Sequence, residues 1–321
     1  MPHKKVRPLL AAALALVLPL LLSQCAGKQT AVRSFSEKEI AKLQDVYSPD
    51  YSKRMPRTDQ KTLPPDRLEA LGEVALQNRD YESSLVTFLQ ILQKDPQRYD
   101  LRYKVGVIFL LTGQLEAAKQ ELARVLVAQP EMVKAHEALG LVHLEEKNYS
   151  LAIDEFQLVL SREPNQAKSR HLLGVAFLEG GRPEKAVNEL KRAAALDPAQ
   201  VSTLVSLGQA FMKLKKYQDA ADCFKKGQAL APQDPKVNYE LGMALAAQKR
   251  YPEALEAFIK AGDEAQAYNN IGVHYFGEGR FEEAAKCFQK AIELRPTFYQ
   301  EARNNLQRAL EKLHQSRKDD G

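Results

Sequence analysis

Residues 169–198, SRHLLGVAFLEGGRPEKAVNELKRAAALDP, contain the pattern that decides the fold. The first part carries apolar residues at helical spacing, namely Leu172, Leu173, Ala176 and Phe177. Residues 180–183 then predict a turn, because glycine relieves backbone strain and proline cannot continue a helix. A second amphipathic segment, 184–196, ends before Pro198, whose ring forces the preceding residue out of the helical region. The stretch therefore predicts two antiparallel helices joined by a tight turn.

Four features of this hairpin recur along the chain at a constant interval. The interval equals the number of residues from Gly72 to Gly106. The first helix carries a glycine: Gly72, Gly106, Gly140, Gly174, Gly208 and Gly242. The second helix carries a small residue: Ser84, Ala118, Ala152, Ala186, Ala220 and Ala254. A bulky residue follows four positions later: Phe88, Leu122, Phe156, Leu190, Phe224 and Phe258. A proline ends the unit: Pro96, Pro130, Pro164, Pro198 and Pro232. Such a period indicates a repeat array, and the small residues are expected where the two helices cross.

The pattern resembles the tetratricopeptide repeat (TPR) family over residues 65–296. An aromatic residue after the turn also matches the family: Tyr81, Tyr149, Tyr217, Tyr251 and Phe281. The Trp that the family favours early in the first helix is replaced by Leu68, Arg102, His136, Arg170, Leu204, Asn238 and Tyr268, which predicts weaker packing in some repeats. The resemblance implies an all-α fold, a right-handed superhelical solenoid of about seven helix-turn-helix repeats over residues 64–296 with a C-terminal capping helix.

One repeat breaks the period. Gly272 comes four positions too early after Gly242, although Phe258 is still in register. Four residues are therefore missing after Ala261. This predicts either a sixth repeat whose second helix is one turn short, or a local change of twist that makes the last repeat a separate sub-site.

The C-terminal end carries a helical pattern outside the repeats. Residues 297–315 predict a capping helix, and residues 316–321 a tail. The apolar stripe of this helix comprises Ala302, Leu306, Leu310 and Leu313. Its other face is polar, as expected for the end of a stacked array, where no further repeat covers the last helix.

Residues 1–24 have the layout of an export signal. A short basic region precedes the apolar run Leu9–Leu22, which is shorter than the roughly 20 residues that a helix needs to span a bilayer. The sequence LSQCA that follows resembles the lipobox of bacterial lipoproteins, which implies lipidation of Cys25, although Gln24 departs from the Gly, Ala or Ser of that pattern. Because Ala26 is not Asp, the resemblance implies the periplasmic face of the outer membrane. The alternative is an ordinary secretory signal and a soluble periplasmic protein.

Residues 25–63 lack the repeat and are polar and proline-containing, which predicts a tether between the membrane and the array. Within this segment, Ser36 and Glu39 have the spacing of a capping box. A short helix that continues through Val46 is therefore expected.

The overall charge does not favour nucleic acid as a partner. The chain carries 46 basic and 41 acidic residues, but three of the basic ones lie in the first 24 positions, so 43 remain against 41. This balance does not predict a surface that attracts a polyanion.

Apart from Cys25, only Cys223 and Cys287 are present, two repeats apart. Since a disulfide needs Cα atoms within about 7 Å, two free thiols are predicted.

The sequence carries no phosphate loop, nucleophile motif or His-Glu-x-x-His zinc motif. His136 and His143 share a helix face, but two histidines alone make a poor metal site. Because signal, tether, repeats and cap use nearly every residue, we expect neither an enzyme nor a cofactor, and no small-molecule substrate.

The family resemblance implies a concave groove lined by the first helices, with the fifth, ninth and twelfth residues of each repeat exposed. The twelve positions that we assign to this groove are Tyr103, Val107, Leu110, Leu141, Leu144, His171, Val175, Leu178, Gln209, Met212, Tyr239 and Met243. Their apolar character predicts a protein partner that supplies an extended or helical apolar segment. Packing against neighbouring helices is the alternative role of the twelfth positions.

The expected function is that of a lipid-anchored adaptor. The chain resembles the TPR lipoproteins of type IV and Flp/Tad pilus assembly, in Cys25, in Ala267–Gly272 and in Pro296–Tyr299. This resemblance implies a role in pilus or secretin assembly. The alternatives are a scaffold for the assembly of outer-membrane proteins or polysaccharide, and an accessory subunit of a cell-envelope enzyme.

Overall fold

The computed structural model describes residues 63–295 and 299–319. Every regular element in these ranges is an α-helix, which confirms the predicted all-α class. The predictions for the signal peptide, Cys25 and the tether fall outside the described residues. No helix within the described ranges is both long and apolar enough to cross a bilayer.

The described helices fall into two units. The first unit extends to Pro164 and contains three hairpins. Its helices are α1 Pro65–Gln77, α2 Tyr81–Lys94, α3 Tyr99–Leu111, α4 Leu115–Ala128, α5 Val133–Glu145 and α6 Tyr149–Arg162. The second unit begins at Asn165 and contains four hairpins and a final helix. Its helices are α7 Ala167–Glu179, α8 Pro183–Leu196, α9 Val201–Lys213, α10 Tyr217–Leu230, α11 Pro235–Ala247, α12 Tyr251–Ala261, α13 Glu264–Gly277, α14 Phe281–Leu294 and α15 Gln300–Asp319.

Each hairpin is held together by the contact between its glycine and its bulky residue. A Cβ placed on the glycine would lie only 2.5–2.9 Å from the bulky side chain of the same hairpin. The pairs are Gly72–Phe88, Gly106–Leu122, Gly140–Phe156, Gly174–Leu190, Gly208–Phe224, Gly242–Phe258 and Gly272–Phe288. The bulky side chains themselves are at most 2% exposed. The glycine is therefore required by the ring or leucine that rests on it.

Every turn within a hairpin places one residue in the left-handed region, with φ between 58° and 78°. These residues are Arg79, Gly113, Lys147, Gly181, Lys215, Lys249 and Gly279. The structure thus confirms that Gly181 relieves strain in its turn. Four of the seven turns carry Arg or Lys at the same position, where a Cβ is unfavourable by about 1–2 kcal/mol.

Polar bonds take the place of aromatic packing where the family favours Trp. Arg102 donates to the Glu121 carboxylate (Nη1–Oε2 2.8 Å) and to the carbonyl of Pro96 (3.0 Å). His136 makes the same pair of contacts, to a carboxylate at 2.6 Å and to a proline carbonyl at 2.9 Å. Asn238 also donates to a proline carbonyl, at 2.9 Å. The proline that ends one hairpin is thereby bonded to the first helix of the next.

The sixth hairpin is shortened where the period breaks. Helix α12 has 11 residues, whereas the other second helices have 14. Only Gly262 and Asp263 separate α12 from α13, while four residues separate α10 from α11. Helix α13 is one residue longer than the other first helices, with 14 residues instead of 13. These changes add up to the four missing residues.

The final helix differs from its predicted range and stripe. It runs over Gln300–Asp319, so it begins later and ends later than the predicted residues 297–315. Ala302 and Ala309 are fully buried, whereas Leu310 is 48% exposed. The inclusion of Leu310 in the packed stripe was wrong. The helix packs through its alanines against Ala291 and Phe288 of α14, which turns Leu310 outward.

Candidate partner-binding site

In the first unit, the predicted groove residues are mostly packed. Val107 and Leu110 are 2% exposed and Leu141 is 5% exposed, while Tyr103 and Leu144 are half-buried. The expectation that Val107 and Leu141 present side chains at the surface was wrong, because both are part of the packed interior. Burial raises the pKa of the Tyr103 hydroxyl, and the nearby Glu137 carboxylate raises it further.

His171 was expected to be an exposed residue of the groove, but it is only 3% exposed. The Thr203 hydroxyl donates its proton to Gln200 (2.5 Å) and lies 3.1 Å from His171 Nδ1. A hydroxyl has one proton, so Thr203 accepts from Nδ1–H, which fixes the neutral tautomer of the imidazole. Burial lowers the pKa of His171 to about 4. His171 is a core residue of the second unit.

The other predicted residues of the second unit differ in how much surface they present. Leu178 is buried, and Val175, Met212 and Met243 are half-buried. Gln209 is also half-buried, and its side-chain amide donates to Glu240 on the next first helix (2.6 Å). That bond ties α9 to α11 and occupies part of the Gln209 amide.

Tyr239 is the predicted groove residue with the largest exposed fraction, 42%. It lies on α11, and its ring is tilted by 52° against the ring of Phe258, with 5.5 Å between the centroids. Phe258 is 2% exposed and is the residue that rests on Gly242. A buried ring therefore holds one side of Tyr239 in place, and the other side is accessible.

A pocket of about 320 Å³ opens beside Tyr239. The residues that line it are Pro235, Lys236, Tyr239, Phe258, Ala261, Gly262, Asp263, Gln266, Ala267 and Asn270. They come from the first two turns of α11, the end of α12 and the first turns of α13. The pocket thus lies where α12 ends early.

The pocket combines two aromatic rings with a balanced polar rim. Asp263 caps α13 by accepting from the Gln266 amide (3.0 Å), and Arg295 contacts its carboxylate. These two contacts lower the pKa of Asp263, the amide contributing most, so the carboxylate is charged at neutral pH. Lys236 supplies an exposed cation at the opposite lining helix. Because Asp263 is already paired with Arg295, a neutral side chain can enter without burying an unpaired carboxylate.

Sequence reasoning assigned Tyr239 to the site but missed Lys236, Asp263, Gln266 and Asn270. The break in the period was the available signal, since it located the missing turn at Gly262. The break did not show that an open pocket results. Within residues 63–295 and 299–319, no three His, Cys, Asp or Glu side chains are grouped as metal ligands would be.

Solved structures with similar folds include tetratricopeptide repeat proteins. A tetratricopeptide repeat protein from Parabacteroides merdae has a TM-score of 0.56 and 15% identity, over 77% of this chain and 98% of that one. The C-terminal part of a TPR repeat-containing protein from Cytophaga hutchinsonii has a TM-score of 0.58 and 18% identity, over 73% of this chain and 98% of that one. MamA from Desulfovibrio magneticus RS-1, from residue 41 of that protein to its end, has a TM-score of 0.50 and 23% identity, over 52% of this chain and 94% of that one. At these identities, the likeness concerns the fold alone.

No curated protein matches the chain. Family models described as "Tetratricopeptide repeat" match residues 69–120, 112–168, 171–235 and 205–261, and a further such model matches 265–298. These matches cover well over half of the sequence, in the same places as the hairpins. The chain belongs to the tetratricopeptide repeat family.

Proposed function

We propose that this chain is a non-enzymatic protein-interaction scaffold and that the pocket beside Tyr239 anchors one side chain of a partner segment. The observation that carries the proposal is the exposed ring of Tyr239 over a pocket of about 320 Å³. This volume is at the lower end of the roughly 300–1,000 Å³ of small-molecule sites and suits a single large side chain. Aromatic anchors in such pockets supply much of the energy of protein interfaces.

The partner segment is apolar, with an aromatic or long aliphatic side chain as its anchor. Tyr239 and Phe258 offer ring surface for this side chain, and Gln266 and Asn270 offer amide groups for the backbone of the segment. The half-buried Met243 lies four residues after Tyr239 on the same face of α11 and extends the apolar surface. Methionine adapts its shape to different partners.

The scaffold is proposed to act from the membrane, through a lipid on Cys25 at the periplasmic face of the outer membrane. Its proposed pathway is pilus or secretin assembly, supported by the resemblance in Cys25, Ala267–Gly272 and Pro296–Tyr299. The anchor can be tested separately from the pathway. Cys25→Ser should abolish labelling with radioactive palmitate and release the protein from the membrane fraction. Retained labelling would refute lipidation at Cys25.

The binding site is tested by crosslinking and co-purification of the full-length protein from the envelope. Tyr239→Ala is compared with Leu196→Ala, because both residues are 42% exposed and Leu196 does not line the pocket. One partner should fall roughly tenfold or more with Tyr239→Ala only. Equal recovery with both variants would refute the pocket. A pilus or secretin component as that partner supports the proposed pathway, and a polysaccharide or cell-wall enzyme would overturn it.

A further inference from the structure

Helix α1 exposes two apolar residues whose equivalents in other hairpins are buried. Leu71 and Val74 are both 53% exposed. The residues in register with Leu71 are at most 9% exposed: Val105, Leu139, Leu207, Leu241 and Ile271. Of those in register with Val74, Ile108, Val142, Ala210 and Ala244 are completely buried, and His274 is half-buried. The apolar pattern of a covered helix is thus present on α1, while no described element covers it.

The reason for the exposure is the position of α1 in the array. In each of the other cases named, the first helix packs against the second helix of the preceding hairpin. No described residue precedes Leu63, so no second helix within the described residues covers this face of α1. The exposed residues Arg67, Ala70, Leu71 and Val74 follow one another at i, i+3, i+4 and i+7 and share one face. A terminal helix with such a face needs a cover of its own.

A segment of this chain has the pattern to provide that cover. In residues 35–47, FSEKEIAKLQDVY, Ser36 and Glu39 have the spacing of a capping box. Phe35 and Ile40 stand at the two positions of a hydrophobic staple around the same cap. Ile40, Leu43 and Tyr47 then fall on one helical stripe. This segment is amphipathic but is not a repeat, so its stripe needs a surface to pack on.

We propose that residues 36–47 form a helix that packs on Leu71 and Val74 of α1 and closes the N-terminal edge of the array. The connecting residues 48–64 can extend to about 55 Å, whereas α1 is about 20 Å long, so the connection permits either direction of packing. A second copy of the chain is the less suitable occupant. The two side chains offer roughly 200 Å², far below the approximately 800 Å² per partner of a stable dimer. The inference does not depend on the Tyr239 pocket.

Hydrogen exchange of the full-length protein, purified in mild detergent, tests the proposal. Amides of residues 40–47 should exchange at least about tenfold more slowly than those of an unstructured chain. Leu71→Asp/Val74→Asp should abolish this protection and leave the amides of α5 and α6 unchanged. The matched control is Val127→Asp, on an 86% exposed valine of α4, which should leave the segment protected. Ile40→Asp/Leu43→Asp should have the same effect as the α1 variant.

Three outcomes would overturn the proposal. Exchange of residues 40–47 at the unstructured rate in the unmodified protein would show that the segment does not pack. Protection that survives Leu71→Asp/Val74→Asp would place the segment on another surface. Protection that falls on dilution, together with a dimer in sedimentation, would assign the face to a second copy.

Discussion

Gly140→Ala should destabilise the third hairpin through one contact. A Cβ on Gly140 would lie 2.7 Å from Cε1 and 2.9 Å from Cζ of Phe156. Carbon atoms in favourable contact are about 3.5–4.0 Å apart, so the overlap is close to 1 Å. The ring is completely buried, so it cannot swing out into solvent. Overpacking of this kind costs about 1–3 kcal/mol, while alanine gains about 1 kcal/mol of helix propensity over glycine. The net expectation is a loss of up to about 2 kcal/mol.

The same substitution should change sign once the ring is removed. Phe156→Ala by itself destabilises by about 3–5 kcal/mol. In that background the new methyl group has space, so Gly140→Ala should stabilise by about 0.5–1 kcal/mol through helix propensity alone. Gly227→Ala is the matched control. It changes another buried helical glycine, whose Cβ would meet its nearest neighbour, Val237, at an ordinary 3.4 Å. This control should not destabilise.

Urea denaturation followed by far-UV circular dichroism measures these differences, with hydrogen exchange of α5 and α6 amides to locate them. The double-mutant cycle isolates the contact because the two residues touch and their effects are not additive. If Gly140→Ala costs the same with and without the Phe156 ring, the contact is not what requires glycine. If Gly227→Ala destabilises as much as Gly140→Ala, the effect belongs to helical glycines in general.

Three further predictions concern single side chains. Lys147→Gly and Lys215→Gly should each stabilise the chain by about 0.5–1 kcal/mol in thermal melts, because glycine relieves the left-handed backbone at φ 62° and 58°. Gly181→Ala should destabilise the chain for the same reason. A loss of stability with either glycine substitution would contradict this. The pKa of His171 is about 4 in the folded chain and about 6.5 in the unfolded chain. Its contribution to the free energy of unfolding is therefore complete above pH 6.5 and is lost as the pH falls towards 4. Between pH 7 and 5 the free energy of unfolding should fall by about 2 kcal/mol more in the unmodified chain than in the His171→Gln variant. An equal fall in both proteins would refute this. Burial raises the pKa of Cys223 to about 11, so its alkylation at pH 8 should be roughly a hundredfold slower than that of a free thiol until the chain unfolds.

The hairpins were predictable because their determinants lie within one repeat. The glycine, the bulky residue and the terminal proline act on each other at short sequence separation, so the period alone identifies them. The two free thiols were also predicted correctly, since Cys223 and Cys287 occupy equivalent positions in separate hairpins. The same local logic places Gly181 in its turn.

The exposure of individual groove residues was less predictable. Whether Val107 or His171 faces solvent depends on how closely neighbouring first helices approach, and that distance is set by side chains from other repeats. His171 is buried because Thr203, 32 positions away, accepts its hydrogen bond. The pocket beside Tyr239 likewise depends on how three helices meet, although the break in the period revealed where they do so.

The short helix α12 shows which length changes a helical array tolerates. Each residue removed from the end of a helix rotates the point at which the chain leaves by about 100°. Removing three residues turns that point by about 300°, so the chain leaves α12 on nearly the same side and still reaches α13. Removing two would turn it by about 200° and direct the chain away from the next hairpin. Deletions in such arrays are therefore restricted by angular phase, and those close to a whole turn are the ones that preserve the stack.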